Sequence, residues 1–532
     1  MGLTAECGFR PELFTAFWLV ARLLPWKPRR NSLRGMAQTS HPIILGLDIG
    51  TSAVKAVLVD MKQAVIAHAS RPLEISRPHP GWSEQNPQDW IEATNAALLR
   101  LRENAPDAFS HVRAIGLSGQ MHGAVVVGAD GEPLRPAILW NDSRADAECS
   151  EMLAAHPDLP MIAGVPPMPG LTAPKLLWLR KHEPDVFRAI HRVLLPKDFV
   201  RLVLTGAYCT DMCDAAGSLW LDERRRTWSV EAVAASGLRS EQMPQVIEGT
   251  EVSGTVRPEV CAKFGWSPGV IVAGGSGDSA AGAVGLGALG DGDAFISLGT
   301  SLQVFVTTAN YRPRPETLVH AFAHCVPNRW FQQAAMLNGA SALAWIASVL
   351  GREGDIDGLL REVEASPSVE ESNELLFLPY LAGERTPHNN PKARGVFFGL
   401  SEATSTADMA RAVLTGVAFS IREAREVLAA AGSPLQSVGV VGGGTRSRFW
   451  LQIIADVAGL ELSRLDGTEL GPAFGAARLA RIALTGEAVA EVCRKPPVAD
   501  IFVPSARFIE IHSAAFERYQ SLYRAVAGQF RK

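Results

Sequence analysis

The sequence has little of what marks the special classes of protein. Its 532 residues include 7 cysteines, scattered and odd in number, so no disulfide framework can be read from them. Cys209 and Cys213 are the one close pair. Without a second pair or a nearby histidine they read as packing residues, and a reducing, cytoplasmic setting fits. The 51 basic and 55 acidic side chains leave a net charge of −4, which gives no basic surface for nucleic acid. After residue 40 no stretch is apolar over the roughly 20 residues that a membrane-spanning helix needs. There is no G-x-x-x-x-G-K-[ST] loop and no G-x-G-x-x-G-x-V loop, so neither the P-loop nor the protein-kinase fold is supported. What remains is a globular mix, 47% hydrophobic and 20% charged, which excludes a disordered, collagenous or coiled-coil chain. At roughly 150 residues per domain, the length allows about three domains.

Residues 1–40 read apart from the rest. Leu13 to Trp26 is apolar but short, and Arg22 interrupts it. Lys27, Arg29, Arg30 and Arg34 follow the apolar run and no A-x-A site appears, the reverse of a signal peptide. The expectation is an upstream or added leader, with Met36 as the biological start. A monotopic amphipathic anchor is the rival. The leader does not read as a helix-turn-helix.

From residue 43 onward, short apolar runs alternate with helical patterns, which argues for an α/β fold. IILGLDIG, AVKAVLVD and AVIAHAS read as a strand and hairpin meander. Residues 112–119, 124–131, 270–275, 294–308 and 437–444 read as further strands. Helical patterns occupy 87–104, with Asn86 as N-cap, and 337–351, 406–430, 447–459 and 471–485. One echo stands out. Asp48-Ile-Gly-Thr-Ser52 and Ser297-Leu-Gly-Thr-Ser301 each join two apolar runs, about half the chain apart. The shared context predicts a duplicated architecture, with the boundary near 285.

A G-T-S turn brings backbone N–H groups close to a ligand, because glycine has no Cβ. Two such turns could grip a polyphosphate, and Gly442-Gly443-Gly444 before a helix suits a phosphate or nucleoside. The plain alternative is a hairpin turn in each half. Asp48 opens the first turn, and a carboxylate there repels phosphate unless a cation such as Mg²⁺ bridges them. Lys55 either neutralises phosphate or is a solvated surface residue. Asp278, in GGSGDSAAGAVG, is either a reachable general base or an N-cap. Gln120-Met121-His122-Gly123 lies in a turn between strands and suits a small polyol, although a packed His is the plain reading. Trp82 and Glu84, and Asn141 and Asp142 beside Trp140, set carboxylates and amides around apolar rings, as a sugar site does.

Together these residues resemble the FGGY family of carbohydrate kinases, and within it the xylulokinases. The resemblance runs from about 43 to about 525. Its carriers include GLDIGTSAVKAVLVD (46–60), GLSGQMHGA (116–124), LLPKDFVRLVLTG (194–206), CDAAGSLWLD (213–222), GGSGDSAAGAVG (274–285), SLGTS (297–301), FLPYLAGERTPHNNPKARGVFFGL (377–400) and VVGGGTRSRFWLQIIADVAG (440–459). It implies two ribonuclease-H-like domains, of the actin/hexokinase ATPase type, flanking a deep cleft. Sugar would lie mainly on 41–285 and ATP largely on 286–532.

By the same resemblance, Asp278 is the general base toward the sugar hydroxyl. Asp48 is the acid near the phosphates, and both acids hold Mg²⁺ through water. Met121 and His122 are the ketose-binding pair, with Gln120, Trp82, Glu84, Asn141 and Asp142 around the sugar. Thr51, Ser52, Lys55, Gly299 and Thr300 serve the phosphates, and Gly339, Gly443 and Gly444 the nucleotide. There is one departure. Ser279 follows the base where xylulokinases carry Asn, a side chain that helps hold the sugar, so sugar preference is in doubt.

The implied reaction is ATP-dependent phosphorylation of D-xylulose at its 5-hydroxyl, in D-xylose catabolism. A homodimer is common in the family, but no interface is legible. The alternatives are a family kinase for another ketose or polyol, a non-catalytic sugar sensor, and a partner-driven ATPase on the same fold.

Overall fold

Two mixed sheets carry the fold. The computed structural model describes residues 42–366, 375–468 and 470–530, so the leader, Met36 and the rival anchor lie outside the described residues. The first sheet comprises β1 (Ile43–Ile49), β2 (Ala53–Val59), β3 (Val65–Pro72), β4 (Val112–Gly119), β5 (Val252–Thr255), β6 (Ile271–Ala273) and β7 (Ser276–Gly277). Its order is β5-β6-β4-β1-β2-β3, with β7 also beside β4. The second comprises β8 (Ala294–Leu298), β9 (Leu302–Thr308), β10 (His320–Ala323), β11 (Trp330–Met336), β12 (Ser437–Val441), β13 (Glu461–Leu465) and β14 (Val498–Phe502), in the order β10-β11-β9-β8-β12-β13-β14.

The repeated G-T-S turn marks a repeated topology. In each sheet an antiparallel three-strand meander begins at a strand that leads into G-T-S, and two parallel strands follow on its far side. β3-β2-β1-β4-β6 and β11-β9-β8-β12-β13 match in order and in the sense of every pairing. All seven residues of β1 are buried, as in a strand covered on both faces. Ile43, Leu45, Leu47 and Ile49 pack with Trp90, Ala93 and Ala97 of helix α1 (Pro87–Asn104). Ile44 packs with Ala473, Ala477 and Ala480 on the other face.

The other helices that matter here are α2 (Thr172–His182), α3 (Pro196–Thr205), α4 (Met212–Ala216), α5 (Asp278–Leu286), α6 (Ala340–Val349), α7 (Thr406–Ala430), α8 (Arg448–Ala458) and α9 (Gly471–Thr485). Asn86 caps α1, its side chain accepting the Gln88 N–H. Ser405 caps α7 in a capping box with Asp408. Gly486, left-handed at φ 71, ends α9.

α9 comes late in the chain yet lies across the first sheet. A Cβ at Gly46 or Gly116 would overlap the carbonyls of Ala473 and Ala476, and one at Gly475 would overlap Ala281 of α5. Glycine and alanine thus let α9 approach sheet and helix backbone to backbone. A boundary drawn in the sequence near 285 separates α9 from the sheet it covers.

The run at 124–131 is a short strand that ends in a turn, as expected. Only Val125–Val127 is strand, and it pairs with Arg192–Leu194 instead of joining β4. The chain leaves the sheet at Gln120–Gly123, where His122 takes a left-handed φ of 70. Gln120-Met121-His122-Gly123 is therefore an exit from the sheet and not a hairpin turn.

Candidate active site

Asp48 pairs with Ser118 of β4, and Ser118 pairs with Ser276 of β7, so three strand ends line up just before Asp278. Strand ends of this kind are where α/β sheets bind ligands. Asp278 is the first residue of α5, and Gly277 takes the N-cap position, so the N-cap reading of Asp278 does not hold. Burial raises the Asp48 carboxyl above its ordinary value, against the pull of the Lys55 charge on the opposite strand. Asp48 Oδ1 is buried with no hydrogen-bond partner among the described residues. Asp278 is pushed up to about 7, first by burial and then by the charge of Asp48. Two facing carboxylates, one with an orphaned oxygen, fit a divalent cation that keeps most of its waters. Among the described residues no three side chains of metal-ligating type cluster together, so such an ion would lean on these two acids and on its ligand's phosphates.

A cavity of about 220 Å³ opens at Asp278. One wall is Asp278 and Ser279, another is Gly299, Ser301 and Gln303, and Gly471 begins a third. The second G-T-S turn thus sits beside the acid. Its backbone is held by α6: the N–H groups of Gly339 and Ala340 donate to Thr300 O and Gly299 O. A Cβ at Gly339 would come within 2.7 Å of Gly299 O. Gly442, at φ 100, packs on Leu298 and Gly299, and Gly444 packs on Leu298, whereas nothing lies within 4 Å of a Cβ at Gly443. Gly299, Thr300, Gly339, Gly443 and Gly444 therefore form one assembly.

The first turn differs. The Thr51 hydroxyl donates to Gln120 Oε1 (3.0 Å) and accepts from Trp140 Nε1 (2.9 Å), so its one hydrogen is already taken. Ser52 and Lys55 are exposed beside it.

Met121 lies close to the acid, with His122 next to it in the chain. A Cβ at Gly277 would stand 2.5 Å from Met121 Cγ, so Met121 packs on the residue just before Asp278. Burial drives the His122 imidazole well below its ordinary value, so it is neutral. Its Nδ1 lies 2.7 Å from Gly217 O, a carbonyl that can only accept, so Nδ1 carries the proton and Nε2 is a bare acceptor. The Asn141 Oδ1 is buried without a partner among the described residues.

Glu84 and Asp142 are corrections. Glu84 lies between Arg135 (2.5 Å) and Arg144 (2.8 Å). Asp142 takes Arg144 in a two-pronged pair and also accepts the Ser83 N–H. Trp82 carries the Arg144 guanidinium on its ring at 3.6 Å, so that face is covered. Glu84 Oε1 and both oxygens of Asp142 thus already have partners.

Several contributors went unread. Lys175, wholly buried, donates to His122 O (2.9 Å) and Gly170 O (2.8 Å) and so fixes the strained His122 backbone. Arg385 donates to Trp140 O at 2.6 Å and lies over the Trp140 ring. Gln85 links Trp90, Gln120 and the Thr51 carbonyl. His320 stands 6.5 Å from His122, ring to ring. Arg385 lies within the motif at 377–400, but nothing local marks it or Lys175 as buried.

The LLPKD and DAAG motifs meet in a buried ion cluster. Lys197 Nζ contacts Asp198 (2.7 Å), Asp211 (2.7 Å) and Asp214 (3.0 Å). Arg201 joins Asp198 and donates to the carbonyls of Ala273 and Gly274, just upstream of Asp278. Cys209 and Cys213 are buried in the packing around it.

Comparison with known proteins agrees with this architecture. The N-terminal domain model of the FGGY family of carbohydrate kinases matches residues 43–285, and the C-terminal domain model matches 294–484. The chain is 43% identical over 482 residues to a xylulose kinase of Escherichia coli K12, covering 90% of this chain and 98% of that one. It is 34% identical over 483 residues to a xylulose kinase of Bacillus subtilis, covering 90% and 96%. A crystal structure of a xyloylose kinase from Brucella ovis superposes with a TM-score of 0.87 at 45% identity, covering 92% of this chain and 100% of that one.

Proposed function

This chain belongs to the FGGY family of carbohydrate kinases, and we propose that it transfers the γ-phosphoryl group of ATP to the 5-hydroxyl of D-xylulose. The observation that carries this reading is the position of Asp278. A carboxylate raised to about 7 lies at one cavity with the Gly299–Ser301 turn, and Met121 packs on the residue just before it. A general base works best with a pKa close to the working pH. The fold divides near 285, with sugar on the first part and nucleotide largely on the second, apart from the return of α9.

In this reading the sugar's O5 attacks the γ-phosphorus in line. The O5–P bond forms as the bond to the bridging oxygen of ADP breaks, and the O5 proton passes to Asp278. Phosphoryl transfer asks a protein mainly for positioning and charge neutralisation. His122 Nε2 and Asn141 Oδ1 accept hydroxyl hydrogens from the ketose, and Met121 packs against its carbon face. The backbone of the Gly299 turn, braced by α6, holds the phosphates, with Gly443 leaving room for the nucleotide. Asp48 and Asp278 would hold Mg²⁺, which supplies charge neutralisation at the β- and γ-phosphates when bound. Among the described residues no helix is long and apolar enough to cross a membrane, and we place the enzyme in the cytoplasm.

The test is ADP release with Mg·ATP against D-xylulose, D- and L-ribulose, L-xylulose, xylitol and glycerol, with a no-sugar control. Selective turnover on D-xylulose is expected. A better rate on another acceptor keeps the mechanism and moves the substrate. Sugar-independent ATP hydrolysis would return the reading to a partner-driven ATPase.

A further inference from the structure

Gln303 sits where the mechanism above has no role for it. It lies on β9 directly opposite Ser297 of β8. Two residues further along the same face, Phe305 stacks between Phe295 and Phe331. That face is apolar until it reaches the cavity, where Gln303 shares the wall with Asp278, Ser279, Gly299 and Ser301. A long carboxamide ending an aromatic face needs a polar partner. It has one on one side only. The Ser279 hydroxyl donates to Gln303 Oε1 at 3.2 Å. With Oε1 on the Ser279 hydroxyl, Nε2 points away from Ser279. Nε2 has no acceptor among the described residues.

We propose that Gln303 is a further catalytic residue. Its Nε2–H donates to a non-bridging oxygen of the phosphoryl group in transfer, and Ser279 keeps the carboxamide facing that way. The inference rests on the kinase reading above and names a residue it leaves out. The walls of the cavity decide which ligand atom is met. They come from the base and from the second phosphate turn, while Met121 and His122 are not among them. An NH₂ group in that place faces phosphoryl oxygen and not the carbon chain of a sugar. Gln303 gives up no proton, so the atom balance of the transfer is unchanged. The short Ser279 side chain has its hydroxyl on Gln303, with Asp278 Oδ1 as the alternative acceptor at 3.4 Å, so it acts as a positioning residue and does not reach for the sugar itself.

The test compares steady-state kinetics of the full chain with Gln303→Met, Gln303→Glu and Ser279→Ala, together with thermal midpoints. A donor that acts in the transition state should cost kcat and spare binding. Gln303→Met is expected to lower kcat about 10²- to 10³-fold, on the scale of other lost transition-state donors. The KM for D-xylulose and the affinity for Mg·ADP should stay within about twofold. Ser279→Ala should move kcat the same way but less, because the amide is freed and not removed. Gln303→Glu, which keeps the Ser279 bond but sets an anion against phosphate, should be worse than Gln303→Met. If Gln303→Met does not fold, the Gln303→Glu and Ser279→Ala pair carries the same comparison. An unchanged kcat in these variants overturns the proposal. So does a raised sugar KM at normal kcat, which would make Gln303 a sugar contact, or a loss that only tracks a lowered thermal midpoint. The kinase reading fails separately, in the wild-type sugar panel. If another acceptor proves best, the same comparison is made on that acceptor.

Discussion

Asp48 and Asp278, one from the first strand and one from the start of α5, face each other closely enough that the charge of Asp48 helps raise the Asp278 carboxyl to about 7. Neither has an ion-pair partner at contact distance among the described residues. Asp278→Asn removes the base and should lower turnover by about 10²- to 10⁴-fold, the usual worth of general base catalysis. The thermal midpoint should not fall. Normal turnover in that variant would take the role away from Asp278.

The same pair sets a pH dependence of stability. The folded pKa of Asp278 lies above the unfolded value, so the fold favours its neutral form. That contribution is fully present below about pH 4 and is lost as pH rises through about 7. Asparagine is neutral at every pH. In metal-free buffer, Asp278→Asn should therefore melt above the wild type at pH 8, and the difference should shrink toward pH 4. Melting curves at both pH values check this. The kcat/KM of the wild type should fall with acid through the range near 7, shifted lower where a bound cation favours the carboxylate.

How much of this was legible depends on whether the cause was local. α1, α7 and α9 have the ends that caps and period give them, because Asn86, Ser405 and Gly486 act within one turn of the chain. The paired G-T-S turns revealed the duplicated sheet, because a glycine turn between strands has a local signature. The acids around Trp82 did not reveal their fate. Glu84 and Asp142 are taken by Arg135 and Arg144, and nothing in W-S-E-Q announces a guanidinium from another loop. The exit of the chain at His122 was hidden too, since Val125–Val127 pairs with a strand that comes much later. Lys197 and Asp198 read as motif residues, yet their work is to close a buried ion cluster.

Gly442 and Gly443 separate folding from ligand contact. Gly442, at φ 100 and ψ 173, takes a conformation that only glycine adopts readily and packs on Leu298, so Gly442→Ala strains the backbone by roughly 1–3 kcal/mol before any overlap is counted. It should lower the thermal midpoint. A side chain at Gly443 meets no protein atom within 4 Å. Gly443→Val should leave the midpoint nearly unchanged and raise the KM for ATP several-fold, with the KM for sugar little affected. An unaltered ATP KM would place the nucleotide elsewhere.

The packing of α9 on β1 and β4 has its own test. At Gly116 a methyl group would overlap the Ala476 carbonyl of the helix, a backbone atom that cannot step aside alone. Gly116→Ala should push α9 off the sheet and destabilise by about 1–3 kcal/mol or more, as overpacking does. Gly354→Ala, at an open position, is the control and should melt with the wild type. Urea titration of the two distinguishes a loss from packing from a general intolerance of alanine.

The buried ion cluster separates a needed charge from a dispensable one. Burial pulls the Lys197 ammonium down, but Asp198, Asp211 and Asp214 together hold it above its ordinary value. Burial pushes the Asp214 carboxyl well up, the Lys197 ammonium opposes this, and the neighbouring Asp198 and Asp211 add to the rise. Two cations, Lys197 and Arg201, thus face three acids in the cluster. Lys197→Met leaves buried carboxylates without their cation and should destabilise by about 3–5 kcal/mol. Asp214→Asn removes one of the three acids, keeps the shape and leaves Lys197 its two other carboxylate partners, and should cost far less. Because the folded pKa of Asp214 is raised, its stabilising contribution is lost as pH rises through that value, so Asp214→Asn should compare best with the wild type in alkaline buffer. Equal losses from the two substitutions would mean that Asp214 is ionised in the fold and that the cluster carries a net negative charge.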